Sequence, residues 1–187
     1  MKQIFFLITF SFVIALAGCN QKKSEENTKQ SNGCITEQKT SDTQKVKLHT
    51  INSGDIILTK KRNNIKIEGV KDRIILLNFF ATWCPPCKAE IPHLVNLQKK
   101  YKDKLKIISI LLENDKPDSE IESFVKYNGI NYTITNDKNN YKLSSMLGKI
   151  QSIPFMILYD KNGNVITHYL GAIPEEMINS DIKKTLK

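Results

Sequence analysis

Three continuous apolar runs along the chain predict its central strands. They lie at residues 74–80, 105–112 and 155–159. A run that is apolar at nearly every position is typical of a strand covered on both faces. The last run is followed by Asn162-Gly163, a strong hairpin signal, and then by a further strand pattern at residues 165–170. Nearer the N-terminus, residues 46–51 and 55–67 predict a pair of shorter strands.

Apolar residues at near-helical spacing predict a helix over residues 85–101, directly after the first central strand. Its inner face would carry Ile91, Leu94, Val95, Leu97 and Tyr101. A second helix is predicted to open at Ser119, with Glu122 completing a capping box, and to stop at Gly129. The residues that this helix would bury are Ile121, Phe124 and Val125.

A third helix is predicted near the end of the sequence, where Pro174 suits a first helical turn. Its inner face would carry Met177, Ile178, Ile182 and Leu186. Buried strands that alternate with helices and then end in a hairpin and a helix predict an α/β sandwich. Its central sheet would be mixed, with parallel and antiparallel neighbours.

Residues 1–19 are patterned as an export signal rather than as part of the fold. Lys2 gives a positive start, and residues 4–17 form an apolar run of about 14 residues, against the roughly 20 that span a bilayer. The run ends in Leu-Ala-Gly-Cys at Cys19, which resembles the lipobox of bacterial lipoproteins. The resemblance implies that residues 1–18 are removed and that acylated Cys19 anchors the chain in a lipid membrane. The alternative is an ordinary secretory signal with a chance cysteine.

The polar stretch at residues 19–45 contains almost no large apolar residue. It predicts a lipidated, disordered tether that leads to a folded domain at residues 46–187. The formal net charge of +9 is spread as single lysines, and only Arg62 and Arg73 are arginines. Without a block of like charges, this pattern indicates a solvated surface and no nucleic-acid binding. A weak attraction to anionic lipid headgroups is the one functional use of the charge that it favours.

Two cysteines separated by two residues carry the candidate chemistry. Cys84 and Cys87, in the sequence Trp-Cys-Pro-Pro-Cys, follow the first central strand and open the predicted helix. At a helix start, this spacing allows the two sulfurs to close a small disulfide. The unpaired amides and the positive dipole end of the helix favour a thiolate on Cys84, whose sulfur would face solvent once the disulfide opens. The pair predicts thiol–disulfide exchange with no metal or other cofactor.

Two other roles of such a cysteine pair are less favoured. A zinc site needs two more ligands, but Cys19 is predicted to be lipidated and Cys34 lies in the tether. The histidines show no paired spacing; they are His49, His93 and His168. A structural disulfide at this spacing would constrain little of the unfolded chain.

Residues 79–92 read Phe-Phe-Ala-Thr-Trp-Cys-Pro-Pro-Cys-Lys-Ala-Glu-Ile-Pro and resemble the active-site stretch of the TlpA/ResA-type thioredoxin-like proteins. The likeness covers about residues 46–187. It implies a thioredoxin-like three-layer sandwich with an N-terminal strand extension and a central strand–helix insertion. Pro92 falls where this fold kinks its active-site helix, and Ile153-Pro154 falls where it places a cis-proline facing the disulfide. Trp83 would flank the reactive sulfur, and the backbone at Ile153 would pair with an extended substrate.

One departure from thioredoxin itself concerns the proton. Thioredoxins carry a buried acid six residues before the first cysteine, where this chain has Asn78, which cannot accept a proton. The resemblance to the ResA type implies that Glu90, on nearly the same helix face as Cys87, handles that proton instead. The alternative is a solvated surface glutamate. His93 lies off that face and is interpreted as a surface residue.

The resemblance implies an exported reductant, facing the periplasm or another extracytoplasmic space. It would deliver electrons from a thiol-transporting membrane donor to protein disulfides, including those of apocytochromes c before haem attachment. Two alternatives stay open: an oxidase or isomerase of exported proteins, and a non-enzymatic lipoprotein that binds a partner and has a structural cysteine pair.

Overall fold

The computed structural model describes residues 43–187, which form eight strands and four helices. Cys19, the predicted signal and most of the predicted tether lie outside the described residues. The strands are β1 (Thr43–Leu48), β2 (Ile56–Lys61), β3 (Asn64–Ile67), β4 (Ile74–Phe80), β5 (Leu105–Leu111), β6 (Thr133–Thr135), β7 (Phe155–Tyr159) and β8 (Val165–Leu170). The helices are α1 (Pro85–Lys100), α2 (Asp118–Tyr127), α3 (Asn139–Met146) and α4 (Glu175–Thr185).

A five-stranded sheet in the order β6-β5-β4-β7-β8 forms the centre of the fold. β4 pairs in parallel with β5 and antiparallel with β7, so the sheet is mixed as predicted. One face of the sheet is covered by α1, α2 and α4, and the other by α3 and the three N-terminal strands. Because both faces are covered, every residue of β4 is buried. The thioredoxin-like three-layer sandwich is thereby confirmed.

The N-terminal extension is an antiparallel sheet of three strands, β1-β2-β3, rather than the predicted pair. The run predicted as one strand at residues 55–67 is divided by a tight turn in which Arg62 adopts a φ of 55°. That turn contains no glycine, and the strand prediction overlooked the turn-forming Asn63. β1 also begins at Thr43, three residues before the predicted start of the folded pattern.

The central insertion implied by the resemblance lies between β5 and β7, where α2 and α3 flank the short strand β6. The predicted capping box of α2 is wrong. The helix begins at Asp118 with Pro117 as its N-cap, and no side chain forms a capping hydrogen bond. Its end before Gly129, which has a φ of 61°, is confirmed.

The inner face of α4 is narrower than predicted. Ile178 and Ile182 are buried, but Met177 is 52% exposed and Leu186 is 39% exposed. Residues four apart lie one above the other on a helix, whereas Met177 is turned by about 100° from Ile178. Pro174 is the N-cap rather than a residue of the first turn. Within residues 43–187, no helix has the length and apolar character needed to cross a membrane.

Candidate active site

The C-terminal end of β4 and the first turn of α1 position the two cysteines. Cys84 is the N-cap of α1, and Cys87 lies in its first turn. A disulfide joins them, with their Cα atoms 5.3 Å apart. Each cysteine is only 3% exposed, so the oxidised form does not show the difference in exposure that was expected after opening.

The start of α1 is arranged to favour negative charge on Cys84. Pro85 and Pro86 occupy the first two helical positions and have no amide hydrogen. The first amide that can donate is therefore that of Cys87, and it lies 3.3 Å from the Cys84 sulfur. The first turn of α1 contains no acidic side chain. An amide in this position and the positive end of a helix dipole favour a thiolate over a thiol at an N-cap cysteine.

Glu90 lies on the buried face of α1 and is only 2% exposed. Its Oε1 accepts a hydrogen bond of 2.8 Å from the amide of Ile173. Its Oε2 is buried and has no hydrogen-bond partner among residues 43–187. Burial raises the pKa of Glu90 to about 7, although the hydrogen bond from Ile173 acts in the opposite direction. Glu90 is therefore not a solvated surface glutamate, and it can gain or lose a proton near neutral pH.

Further buried polar groups lie on the sheet face that α1 covers. Asn78 donates through Nδ2 to the Ser109 hydroxyl at 3.0 Å, while its Oδ1 has no partner within the described part of the chain. Burial raises the pKa of Tyr132, a hydrogen bond with Ser109 lowers it, and the charge of Glu90 raises it further. Sequence reasoning missed Ser109 and Tyr132 because their proximity to this site depends on the β4–β5 and β5–β6 registers.

The start of β7 lies beside the end of β4, because Phe155 pairs with Phe79. The Ile153–Pro154 peptide bond is cis, which is the isomer implied by the resemblance. Pro154 is buried, and its carbonyl accepts a hydrogen bond of 2.9 Å from the Gly171 amide. Ile153 is half-buried against the apolar core on both sides of the sheet.

Two large side chains near this end of the sheet are exposed to solvent. Trp83, directly before Cys84, is 66% exposed, and Leu170 at the end of β8 is 67% exposed. The loop that follows β8 supplies the Ile173 amide to Glu90, a contact between residues 83 positions apart that the sequence did not reveal.

His93, interpreted as a surface residue, is half-buried, and its Nδ1 has no hydrogen-bond partner in the described part of the chain.

Comparison with known proteins places this site in a family. The redoxin family matches residues 35–186. The thiol-disulfide oxidoreductase ResA of Bacillus thuringiensis (strain Al Hakam) is 30% identical over 129 residues, which cover 69% of this chain and 73% of that protein.

Solved structures show the same fold at lower identity. A DsbF homologue from Corynebacterium diphtheriae has a TM-score of 0.64 and 23% identity, covering 83% of this chain and 96% of that chain. StoA from Bacillus subtilis has a TM-score of 0.58 and 23% identity, covering 74% of this chain and 96% of that chain. These structures support the fold, while the match to the family extends over most of the sequence. The chain belongs to the redoxin family and is a thiol–disulfide oxidoreductase of thioredoxin-like fold.

Proposed function

We propose that this chain is an exported, membrane-tethered protein-disulfide reductase. The observation that carries the proposal is the Cys84–Cys87 disulfide at the start of α1, with the buried carboxyl of Glu90 one helical turn further on. A buried acid with a pKa of about 7 can exchange a proton with a thiol at neutral pH, which a solvated glutamate cannot do efficiently.

The reaction proceeds by two thiol–disulfide exchanges. The Cys84 thiolate attacks one sulfur of a substrate disulfide, forms a mixed disulfide and releases the first substrate thiolate. The Cys87 thiolate then attacks the Cys84 sulfur, releases the second substrate thiolate and restores the Cys84–Cys87 disulfide. Two electrons pass from the cysteine pair to the substrate.

Glu90 handles the proton of Cys87. Resolution requires the Cys87 thiol to lose its proton, and ionised Glu90 accepts it. Because Asn78 has a neutral amide, it cannot accept that proton. The Ile173 amide holds Glu90 Oε1 in place, which leaves Oε2 as the oxygen that binds the proton.

Substrate docking would use Trp83, Ile153 and Pro154. Trp83 offers an exposed aromatic surface beside Cys84. The backbone at Ile153 would pair with an extended substrate segment beside the cysteine pair, while Pro154 shapes this edge of the site. The exposed surface that surrounds the disulfide suits a protein segment rather than a small enclosed molecule.

The proposed cellular setting rests on the lipobox-like sequence and on the resemblance to ResA-type proteins. Acylated Cys19 would hold the domain beside a thiol-transporting membrane donor that reduces the cysteine pair again. Disulfides of extracytoplasmic proteins, apocytochromes c among them, would be the substrates. Replacement Cys19→Ser is expected to leave an unprocessed or soluble species, measured by membrane fractionation and intact mass. A mature-sized variant that still fractionates with membranes would contradict lipid anchoring.

The direction of electron flow is tested by the reduction potential of the cysteine pair. We expect a reduction potential of roughly −220 mV or lower, well below the value near −120 mV of strong oxidants. Equilibration with dithiothreitol or glutathione buffers measures it. Thiol trapping in cells is expected to find Cys84 and Cys87 mainly reduced. A potential above about −150 mV, with a mainly oxidised pair, would instead assign the oxidase function.

A further inference from the structure

The amino ends of β4 and β5 enclose a polar cavity at the end of the sheet opposite the disulfide. Its volume is about 280 Å³, and none of its lining residues is acidic. Small-molecule pockets begin at about 300 Å³, so a small ion or headgroup fits here better than a nucleotide. Arg73, just before β4, and Lys106, in β5, supply its two positive charges.

These two cations lie close enough for the charge of Arg73 to act on Lys106, and none of the residues lining the cavity is acidic. Both side chains are half-buried. Burial lowers the pKa of Lys106, and the charge of Arg73 lowers it further. Among residues 43–187, neither side chain forms an ion pair. Half-buried like charges without a counter-ion oppose folding, and a bound anion would relieve both costs.

Hydrogen bonds to the backbone fix the walls of the cavity. Gln98 donates to the Leu105 carbonyl at 3.0 Å and accepts from the Ile107 amide at 2.9 Å. Asn52 donates to the Tyr132 carbonyl at 2.9 Å. Gln98 and Asn52 therefore form a fixed polar wall beside the two cations.

Two hydroxyl groups hold the ammonium of Lys106 at the cavity. Lys106 Nζ donates to the Thr133 hydroxyl at 2.7 Å, and that hydroxyl lies 3.0 Å from the Ser53 hydroxyl. The Ser53 hydroxyl also donates to Asn52 Oδ1 at 3.3 Å, so the hydroxyl protons are used within the cavity wall. The remaining N–H donors of the Lys106 ammonium and the Arg73 guanidinium match the oxygens of a tetrahedral anion, because each can donate to a different oxygen.

The charge around the cavity favours the same class of ligand. Residues 71–73 and 102–106 carry five basic side chains and two acidic ones. The two acids, Asp72 and Asp103, are exposed and do not line the cavity. A net positive surface concentrates anions near the opening.

We propose that the cavity between Arg73 and Lys106 binds a phosphate group, either free or in the headgroup of a membrane lipid. Since the cavity and the disulfide lie at opposite ends of β4, phosphate binding leaves the cysteine pair accessible. A lipid source would direct the disulfide away from the membrane surface.

The test uses the full-length chain in a non-ionic detergent, titrated with inorganic phosphate in a calorimeter at constant ionic strength. The wild-type chain is expected to bind phosphate saturably, and phosphate is expected to raise its melting temperature more than sodium chloride does. Lys106→Gln and Arg73→Gln are each expected to weaken binding by about tenfold or more, because each removes a charged donor. Lys106→Arg, which keeps the charge, is expected to restore part of the affinity.

Lys104→Gln is the matched control, because Lys104 is exposed at the same end of the sheet and does not line the cavity. Its phosphate affinity is expected to stay within about twofold of wild type. An equal loss in the control and the cavity variants would overturn the proposal, as would a melting temperature that responds to chloride as strongly as to phosphate.

A second titration with glycerophosphoglycerol, a deacylated lipid headgroup, separates the two sources of the phosphate group. Tighter binding than inorganic phosphate assigns the lipid headgroup, and weaker binding assigns the free anion.

Discussion

Each end of β4 lies beside ionisable side chains that have no oppositely charged partner among residues 43–187, but the signs differ. At the carboxyl end, the Glu90 carboxyl has no basic partner among the described residues. At the amino end, Arg73 and Lys106 face a cavity without an acid. A carboxyl can escape the cost of burial by taking up a proton, whereas an arginine stays charged. The comparison teaches that the first end is suited to proton transfer and the second to ion binding.

The largest effect is expected from replacing the attacking cysteine at the carboxyl end of β4. Cys84→Ser is expected to reduce the rate of insulin-disulfide reduction by a factor on the order of 10³ or more, because the attacking sulfur is lost. Cys87→Ser is expected instead to accumulate a mixed disulfide with the substrate, visible by non-reducing gel electrophoresis. Cys34→Ser provides the control, with activity near wild type. Substantial activity in Cys84→Ser would assign the attack to another group.

A change near the amino end is expected to lower stability without altering the proton chemistry. Gly163 in the β7–β8 hairpin has a φ of 82°, and a Cβ added there would lie 1.8 Å from the Ile65 carbonyl oxygen. Gly163→Ala is therefore expected to lower the free energy of unfolding by about 3 kcal/mol or more, measured by urea denaturation. Gly129→Ala, at a φ of 61° in open space, is expected to cost only about 1–2 kcal/mol. Equal losses would show that the contact with Ile65 is unimportant.

The buried carboxyl is expected to make stability depend on pH. The folded pKa of Glu90, about 7, lies above the ordinary value of 4.5, so the folded state binds the proton more tightly than the unfolded state. The contribution of this proton binding to the free energy of unfolding is complete below pH 4.5 and is lost as the pH rises towards 7. Glu90→Gln is therefore expected to exceed wild type in unfolding free energy by about 3 kcal/mol at pH 8. Urea denaturation at pH 4 is expected to show no such gain.

Replacement of Glu90 by Gln is also expected to slow thiol–disulfide exchange. Glu90→Gln cannot accept the Cys87 proton, so the rate at neutral pH is expected to fall by about 10²-fold and its pH profile to shift. Glu176→Gln, which removes an exposed acid from α4, is the control for both measurements. If Glu90→Gln kept the wild-type pH profile, Glu90 would have no part in proton transfer.

The smallest expected effect concerns substrate docking beside the disulfide. Trp83→Ala is expected to lower kcat/KM for insulin about fivefold, because an aromatic contact contributes about 1 kcal/mol. Since Trp83 is 66% exposed, its loss is expected to change the unfolding free energy by no more than about 0.5 kcal/mol. Tyr127→Ala removes an aromatic side chain of α2 that is 90% exposed and is expected to leave kcat/KM unchanged. A similar loss in both variants would remove the docking role.

The strength of the local pattern decided which parts of the fold the sequence predicted. β7 is apolar along its length, β4 is apolar at every position except Asn78, and α1 follows a recognisable motif. β6 has only three residues, two of them threonine, and its strand conformation comes from pairing with β5. α3 begins at Asn139, its N-cap Lys138 forms no side-chain capping bond, and its sequence is mostly polar. Neither element carries a local signal strong enough to predict it.

The same distinction applies to the candidate site. Cys84, Cys87 and Pro154 belong to motifs that are recognisable from neighbouring residues in the sequence. The hydrogen bond to Glu90 comes from the amide of Ile173, 83 positions later in the chain. The cavity at the amino end depends on the pairing of β4 with β5, which brings Arg73 and Lys106 together. Contacts of this kind follow from strand register, which the sequence alone did not determine.

The two borders of the central sheet have different consequences for self-association. Residues 49–51 cover β6, because the Ile51 amide donates to the Ile134 carbonyl at 3.0 Å and the Asn136 amide donates to the His49 carbonyl at 3.1 Å. Beyond β8, the central sheet has no further strand among the described residues. An open border can recruit a strand from another molecule, but fibril growth through a sheet needs two open borders. Edge-to-edge association through this sheet would therefore stop at a pair of molecules.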